Sequence, residues 1–397
     1  MTATSVSSER ASPPPGVRST RITFRAFSGA EELPKVEADW GRVLAGVGHR
    51  RFAHFFPWYE AYARCFSEDP RSLRVFVAYA GDAPIAVFPL VRRARRVGGV
   101  PVRALEVPSN PHLLICDLVF DRSPANAGLV AAFADHLRKE APEAWDALVL
   151  PNLLEDSAGW FSLRAVPPPR LVTEEADRCE YLPCIPFEER FASLSGNFRS
   201  VVRRARKRLA EEPDVQFVRA RTPAEIEAAF GEFLAVEGSG WKGEKGSAIR
   251  CDERRTAFYR NVATRFAALG CAEINLLKTA GKSIAGQFCL DVDRCLYVLK
   301  LGYDEAYAKA APGHMLLEHV LQRCEAERDI DSVNLVSDAA WFGQWKAASY
   351  SRYSAFVFNA SARGLAGYWS LRSKQLLRPA VRRIRKALAG AAGEKKD

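Results

Sequence analysis

Residues 297–321 read YVLKLGYDEAYAKAAPGHMLLEHVL, and no other segment says as much about the architecture of this chain. The apolar run that ends at Gly302 is typical of a buried strand, and after a polar turn Pro312 and Gly313 introduce a helix. Backbone N–H groups at such a helix start, with the positive end of the helix dipole, can hold a phosphate. The segment therefore predicts an anion-binding turn, the alternative being that Pro-Gly simply marks the start of a helix.

Outward from this segment, short apolar strands alternate with amphipathic helices, which is typical of an α/β protein. Two hairpins repeat each other at an offset of 200 residues: LRVFVAYA and PIAVFPLVRR around Gly81, and AEINLLKTA and SIAGQFCLDV around Gly281. The coincident pairs include Tyr59/Tyr259, Phe66/Phe266, Gly81/Gly281, Phe88/Phe288 and Leu90/Leu290. This repetition indicates a duplicated unit, and it predicts two tandem lobes, each a mixed, mostly antiparallel sheet flanked by helices.

The predicted domain organisation follows these repeats. Residues 1–20 are rich in Ser and Pro without an apolar core, so we interpret them as a disordered leader and not as a secretory signal. The first lobe is predicted over 21–165, a connecting segment with a basic helix over 166–212, the second and catalytic lobe over 213–360, and a basic helical tail over 361–397.

Composition restricts the class of protein. Hydrophobic residues make up 48% and charged residues 26% of the 397 positions, as in soluble globular proteins. No uninterrupted run of 18 apolar residues occurs, so we predict no transmembrane helix. The nine cysteines are scattered without CxxC or Cys/His spacing, which predicts reduced thiols in a cytoplasmic protein, with no metal site and no disulfide framework.

The net charge of +10 is concentrated in three groups and favours anionic partners. On the connecting helix the charges are most simply a solvated face, and docking of an acidic glycan or a lipid-linked substrate is the main alternative. The tail is compatible with peripheral contact at the inner membrane face, while nucleic acid is an unlikely partner. The three groups are Arg92, Arg93, Arg95, Arg96 and Arg103; Arg199, Arg203, Arg204, Arg206, Lys207 and Arg208; and Arg372, Lys374, Arg378, Arg382, Arg383, Arg385 and Lys386.

A second candidate binding segment is FLAVEGSGWKGEKGSAI, residues 233–249. Its glycines, Trp241 and Lys242 combine a flexible backbone, an aromatic ring and a cation, which are suited to an anionic or sugar-like ligand. The alternative is a solvated surface loop.

Together these motifs resemble a known family. GWKGEKGSA, the IAGQF hairpin and KLGYDEAYAKAAPGHMLLE are similar to the BioF2-like branch of the GNAT superfamily, the CelD/BcsL-type acetyltransferases related to FemAB proteins. The resemblance covers roughly residues 21–360. It implies tandem GNAT folds, with acetyl-CoA or another acyl-CoA lying against the second lobe as co-substrate.

The resemblance also implies site residues. In GNAT enzymes the thioester lies along a splayed central strand, here 296–301, and the pyrophosphate rests on the following helix start, here 309–315. This chain departs from the usual glycine-rich loop, since it offers one glycine and a proline. The predicted donor-binding residues are Lys300, Leu301, Lys309, Pro312, Gly313, His314 and Met315. The predicted acceptor-binding residues are Trp241, Lys242, Tyr303, Trp345 and Lys346.

Direct acyl transfer needs a general base for the attacking amine or hydroxyl. Asp304 is the first candidate because it follows the strand end, and Glu237, before Gly-Ser-Gly-Trp, is the second. Asp338 is a weaker candidate for the base, and His314 is a candidate for donating a hydrogen bond to an anion. Each of the two leading carboxylates has an ordinary alternative as a surface or capping residue.

The predicted reaction is acyl transfer from acyl-CoA to an amine or hydroxyl of a saccharide-type or lipid-linked acceptor, in exopolysaccharide or cell-envelope biosynthesis. The saccharide is implied by the resemblance and by no residue on its own. Two alternatives stay open: a Fem-type transferase that uses aminoacyl-tRNA, and a non-catalytic subunit of envelope assembly.

Overall fold

The structure, a computed structural model, describes residues 21–239, 246–337, 339 and 341–393, with side chains described up to Arg378. The predicted leader, 1–20, lies outside the described residues. Within the described part, twelve strands form one continuous sheet flanked by helices.

The elements are numbered here in chain order. The strands are β1 (Ile22–Ser28), β2 (Leu73–Ala80), β3 (Ala83–Val97), β4 (Val100–Glu106), β5 (Ala147–Leu154), β6 (Leu171–Pro183), β7 (Gln216–Ala220), β8 (Ala272–Thr279), β9 (Lys282–Val292), β10 (Cys295–Tyr303), β11 (Ser332–Asn334) and β12 (Ala348–Phe358). The α-helices are α1 (Leu33–Ala45), α2 (Phe56–Cys65), α3 (Leu129–Glu140), α4 (Ala158–Ser162), α5 (Phe187–Ser193), α6 (Gly196–Ala210), α7 (Pro223–Glu237), α8 (Glu253–Ala268), α9 (Pro312–Glu327) and α10 (Ala362–Gly393).

The sheet confirms the predicted fold class and the duplication. Its strand order is β1-β2-β3-β4-β5-β12-β6-β11-β10-β9-β8-β7. The antiparallel run β1 to β4 of the first lobe corresponds to β7 to β10 of the second, and in each lobe the next strand, β5 or β11, pairs in parallel. The two predicted hairpins are β2–β3 and β8–β9.

The two lobes exchange their last strands. β6 follows β5 along the chain but pairs with β11, whereas β12 follows β11 and pairs with β5. β6 and β12 then pair with each other from Leu171/Val357 to Tyr181/Ala348. Each lobe is thus completed by a strand from the other half of the chain, and the predicted domain boundaries remain a prediction.

A second contact zone joins the lobes through helices α2 and α8, which pack against each other. The rings of Trp58 and Phe258 lie 5.2 Å apart in an edge-on arrangement, and those of Phe52 and Tyr297 lie 5.0 Å apart. Aromatic burial of this kind holds the first lobe firmly against β10.

The helix that leads to the site, α7, starts with a reciprocal hydrogen-bonded cap. Thr222 accepts a hydrogen bond from the N–H of Glu225, the Glu225 carboxylate accepts one from the N–H of Thr222, and Pro223 occupies the first turn. This reciprocal cap fixes the start of a helix whose last residue is Glu237.

None of the described helices is long and apolar enough to cross a lipid bilayer.

Candidate active site

A cleft opens where β10 and β11 separate. The two strands pair in parallel only over Cys295–Tyr297 and Ser332–Asn334, although β10 continues to Tyr303. On its other side β10 stays paired with β9, with a register shift between Val298 and Lys300. The second half of β10 therefore borders a gap in the sheet on the side of β11.

This gap holds a cavity of about 430 Å³. It is bounded by the end of β10, the end of α7, the segment after β11 and one residue of the first lobe. Its lining residues are Leu114, Glu237, Val298, Leu299, Lys300, Leu301, Gly302, Tyr303, Glu305, Leu335, Ser337, Ala339, Trp341 and Phe342.

A second cavity of about 360 Å³ continues the first toward the start of α9. The two share Leu301, Tyr303 and Trp341, and the second is also lined by Val201 and by residues 311–314. Together they form a groove, called here the donor groove, that leads from the lobe interface to a helix N-terminus. A long ligand with an anionic end fits such a shape.

The corresponding position in the first lobe is filled. After β4 the chain crosses the end of the sheet, and Val119 forms a bridge with Val87 of β3. The cavity that remains near Pro108 and Cys116 measures only about 20 Å³. Of the two lobes, the second therefore holds the larger opening beside its parallel pair.

Glu237 is the acidic side chain that the fold brings deepest into the groove. It is 3% exposed and lines the first cavity, and its carboxylate accepts a hydrogen bond of 2.8 Å from the N–H of Ile249. It reaches this position because α7 packs closely on Gly302, where an added Cβ atom would lie 2.5 Å from the Cα of Glu237. Only glycine allows this approach of helix to strand.

Lys300 carries the positive charge of the groove floor. Its ammonium lies 5.6 Å from the centre of the Tyr259 ring, and the Tyr259 hydroxyl is 3.1 Å from Nδ1 of His112 in the first lobe. Burial, aided by the nearby cations Lys300 and Arg255, lowers the pKa of His112 to about 4. The imidazole is therefore neutral at pH 7, and both lobes contribute to the site.

The start of α9 closes the other end of the groove. Ala311 has a φ of +45°, Pro312 occupies the first turn, and the Nδ1 atom of His314 accepts a hydrogen bond of 3.0 Å from the indole of Trp345. Burial lowers the pKa of His314 to about 4, so its ring is neutral. Because Nδ1 is an acceptor, the proton of the ring is on Nε2.

Several predicted residues lie elsewhere. Asp304 caps the following turn through the N–H of Ala306, and its hydrogen bond of 2.6 Å from Lys282 lowers the pKa of its carboxyl. Met315 is buried in the core beneath α9. Lys309 is exposed, and its carbonyl accepts a hydrogen bond from Arg208.

The remaining predicted acceptor-binding residues divide into three kinds. Tyr303 lines both cavities. Trp345 is fully buried and Lys346 is exposed beside it, so the indole acts on the groove only through His314. Trp241 and Lys242 lie outside the described residues, as does Asp338.

Sequence reasoning missed the contribution of the first lobe. Leu114, which lines the first cavity, and His112 lie far before the second lobe in the sequence, and no motif marks them. Trp341 and Phe342, which line the first cavity, were also missed. Two adjacent aromatic residues after a strand are a usable signal for a turn that lines a binding site.

Among the described residues, no group of three or more His, Cys, Asp or Glu side chains is arranged to hold a metal ion.

We predict that Gly302→Ala lowers the free energy of unfolding by about 1–3 kcal/mol, because the new methyl group meets the backbone of Glu237. Thermal and denaturant unfolding measure this change. The matched control is Gly231→Ala on α7, the helix that packs on Gly302. An added Cβ at residue 231 meets nothing within 4 Å, so this variant should gain about 0.5–1 kcal/mol from helix propensity. Equal stability of the two variants would contradict the close contact.

We predict that acid destabilises the protein through His314. Its pKa is about 4 in the fold and 6.5 when free, so the unfolded chain takes up a proton between these pH values and the folded chain does not. Stability present above pH 6.5 is thus lost as the pH falls to 4, by up to about 3 kcal/mol. Denaturant unfolding at neutral and acidic pH should show a smaller loss for His314→Gln, and an unchanged loss would exclude this origin.

Comparisons with known proteins agree with this geometry. Residues 196–347 match the acetyltransferase (GNAT) domain family, a range that contains β10, β11 and α9. No curated protein matches the sequence significantly.

Among solved structures, FemX superposes with a TM-score of 0.52 at 11% identity, covering 82% of this chain and 96% of FemX. L-PGS from Bacillus licheniformis superposes with a TM-score of 0.48 at 14% identity, covering 84% of this chain and 95% of L-PGS. A tandem GNAT protein from the clavulanic acid biosynthesis pathway superposes with a TM-score of 0.42 at 11% identity, covering 86% of this chain and 100% of that protein. At 11% identity, the superposition with FemX concerns the fold and not the substrate.

The first lobe repeats the element order of the second lobe, which contains most of the residues that match the GNAT domain family. The chain has a tandem GNAT-like fold whose second lobe contains a GNAT-type acetyltransferase domain, and the protein is an acyltransferase.

Proposed function

We propose that the protein transfers an acyl group, in the simplest case acetyl, from acyl-CoA to an amine or hydroxyl of a saccharide-type acceptor. The observation that carries this proposal is the donor groove, which runs from the separated strands β10 and β11 to the start of α9. A thioester with a pantetheine arm and a diphosphate has the length and the charge distribution that such a groove accommodates.

In this proposal the donor lies with its thioester beside Val298–Leu301 and its phosphates near Gly313. The helix N-terminus and the Nε2–H of His314 supply hydrogen-bond donors there, since the bond from Trp345 fixes the ring as neutral with Nδ1 as acceptor. These groups replace the usual glycine-rich loop.

Glu237 is the general base that the geometry favours over Asp304. Glu237 lines the first cavity from the end of α7, where its carboxylate accepts the N–H of Ile249, whereas Asp304 lines neither cavity and is held by Lys282 and the N–H of Ala306. Glu237 takes the proton from the attacking amine or hydroxyl as the new bond to the acyl carbon forms. A backbone N–H of β10 stabilises the oxyanion, and collapse breaks the carbon–sulfur bond and releases CoA, whose thiolate takes up a proton.

The acceptor enters between the lobes, where Leu114, Glu237 and Lys300 line the first cavity. The cation of Lys300 at this end suits a saccharide that carries negative charge. Trp241 and Lys242, which lie outside the described residues, stay predicted acceptor-binding residues. A lipid-linked saccharide of exopolysaccharide or cell-envelope assembly is the acceptor class we propose, to be met on the cytoplasmic side of the membrane.

An aminoacyl-tRNA donor is the main alternative. It is favoured by the exposed cations of α6, such as Arg204, next to Val201 of the donor groove. Binding of tRNA would weaken steeply with salt, whereas acyl-CoA binding involves few phosphates and depends on salt much less. A salt series with both donors separates the two.

We predict that Glu237→Gln lowers kcat with acetyl-CoA by about 10²–10⁴-fold, since it removes the base and keeps the shape. Asp304→Asn is the matched control and should retain kcat within about threefold, because that carboxylate is engaged outside the cavity. Release of CoA thiol, measured with an amino-sugar acceptor, reports both. The opposite order of effects would transfer the role to Asp304.

A further inference from the structure

The last helix, α10, is fixed to the body of the protein by one side of its first half. Tyr368 and Leu371 are buried in the small core that includes Val102 and Phe358. Further along, Lys374 donates to the carbonyl of Gly98, and Arg378 forms an ion pair of 2.9 Å with Glu174. This part of the helix therefore has a defined orientation.

The opposite side of the same helix presents large apolar side chains to solvent. Leu365, Trp369, Leu376 and Leu377 are 47%, 63%, 68% and 59% exposed. Spacings of 4, 7 and 8 residues place them on one side of the helix, a set called here the apolar stripe. They make up four of the eight large hydrophobic residues exposed in the described part of the chain. Such a concentration marks an interaction surface.

The charge of the protein is concentrated in the same element. Residues 361–397 carry ten Lys and Arg against two acidic residues, which is +8 of the total net charge of +10. The helical backbone continues to Gly393. An apolar side combined with a surplus of cations is the pattern of a helix that lies on an anionic membrane surface.

We propose that α10 docks the protein on the surface of an anionic lipid bilayer. The apolar stripe enters the boundary between headgroups and acyl chains, and the surplus of positive charge that follows Arg378 in the sequence is attracted to the lipid phosphates. Trp369 is suited to this boundary because an indole combines an apolar ring with an N–H donor.

The charge argues against the other occupants. A second copy of the chain would bring another segment of charge +8 against the first, and like charges at short distance repel. A nucleic acid would satisfy the cations but would leave Leu376 and Trp369 exposed. Only an anionic lipid surface matches both features of the helix.

Vesicle co-sedimentation of the full-length protein tests this proposal without reference to catalysis. We expect binding to vesicles with about one-third phosphatidylglycerol, at least about tenfold weaker binding to pure phosphatidylcholine, and weakening with salt. The double variant Trp369→Ser/Leu376→Ser should lose about tenfold or more in partitioning with an unchanged melting temperature, because both side chains are exposed. The matched control is Leu269→Ser, an exposed leucine 51% accessible at the end of α8, which should bind as the wild type does.

Equal sedimentation of the double variant and the wild type with phosphatidylglycerol vesicles would overturn the proposal. A wild type that binds no vesicles would also overturn it. In that case, conversion of a dimer to a monomer by the double variant would indicate a second copy of the chain as the partner, and retardation of RNA by the protein would indicate a nucleic acid. Because none of these readouts involves acyl transfer, failure here leaves the proposed reaction standing, and an inactive enzyme leaves this docking surface standing.

Discussion

The site depends on the early end of pairing between β10 and β11. After Asn334 the chain loses its pairing with β10 but keeps hydrogen bonds with β6: the N–H of Leu335 donates to the carbonyl of Glu180, and the N–H of Glu180 donates to the carbonyl of Ser337. Val336 takes a φ of +55°, an unfavourable value for a β-branched residue, and its N–H donates to the side chain of Asn334. The exchanged strand β6 thus draws the chain away from β10, and the gap in the sheet is the cleft.

The same exchange explains why the site belongs to both lobes. The pairing of β6 with β12 joins the two halves of the sheet, and the first lobe packs against the second through the α2–α8 contact. His112 and Leu114 are brought to the second lobe in this way. Closely packed interiors hold such groups in place.

Local patterns predicted much of this arrangement. The strand, turn and helix of 297–321 were readable because apolar runs, Pro and Gly act over short distances, and the hairpins repeated visibly. Strand exchange was not readable, since it depends on pairing between distant segments. The proposed preference for Glu237 over Asp304 as the base was also beyond sequence reasoning. The position of Asp304 after a strand suggested a role, but Lys282 engages it, and Glu237 lines the groove where α7 packs closely on Gly302.

Direct measurement of acetyl-CoA binding is the most direct test of the claim that the donor groove ends at the start of α9. With acetyl-CoA at about 100 times its Kd, the melting temperature should rise by the equivalent of about 2.7 kcal/mol. Gly313→Asp, which places a negative charge at the start of α9 where an added Cβ makes only ordinary contact, should abolish the rise. Gly343→Asp, at a glycine with open space, should retain it. No rise for the wild type, or an equal rise for Gly313→Asp, would contradict a donor groove that ends at α9.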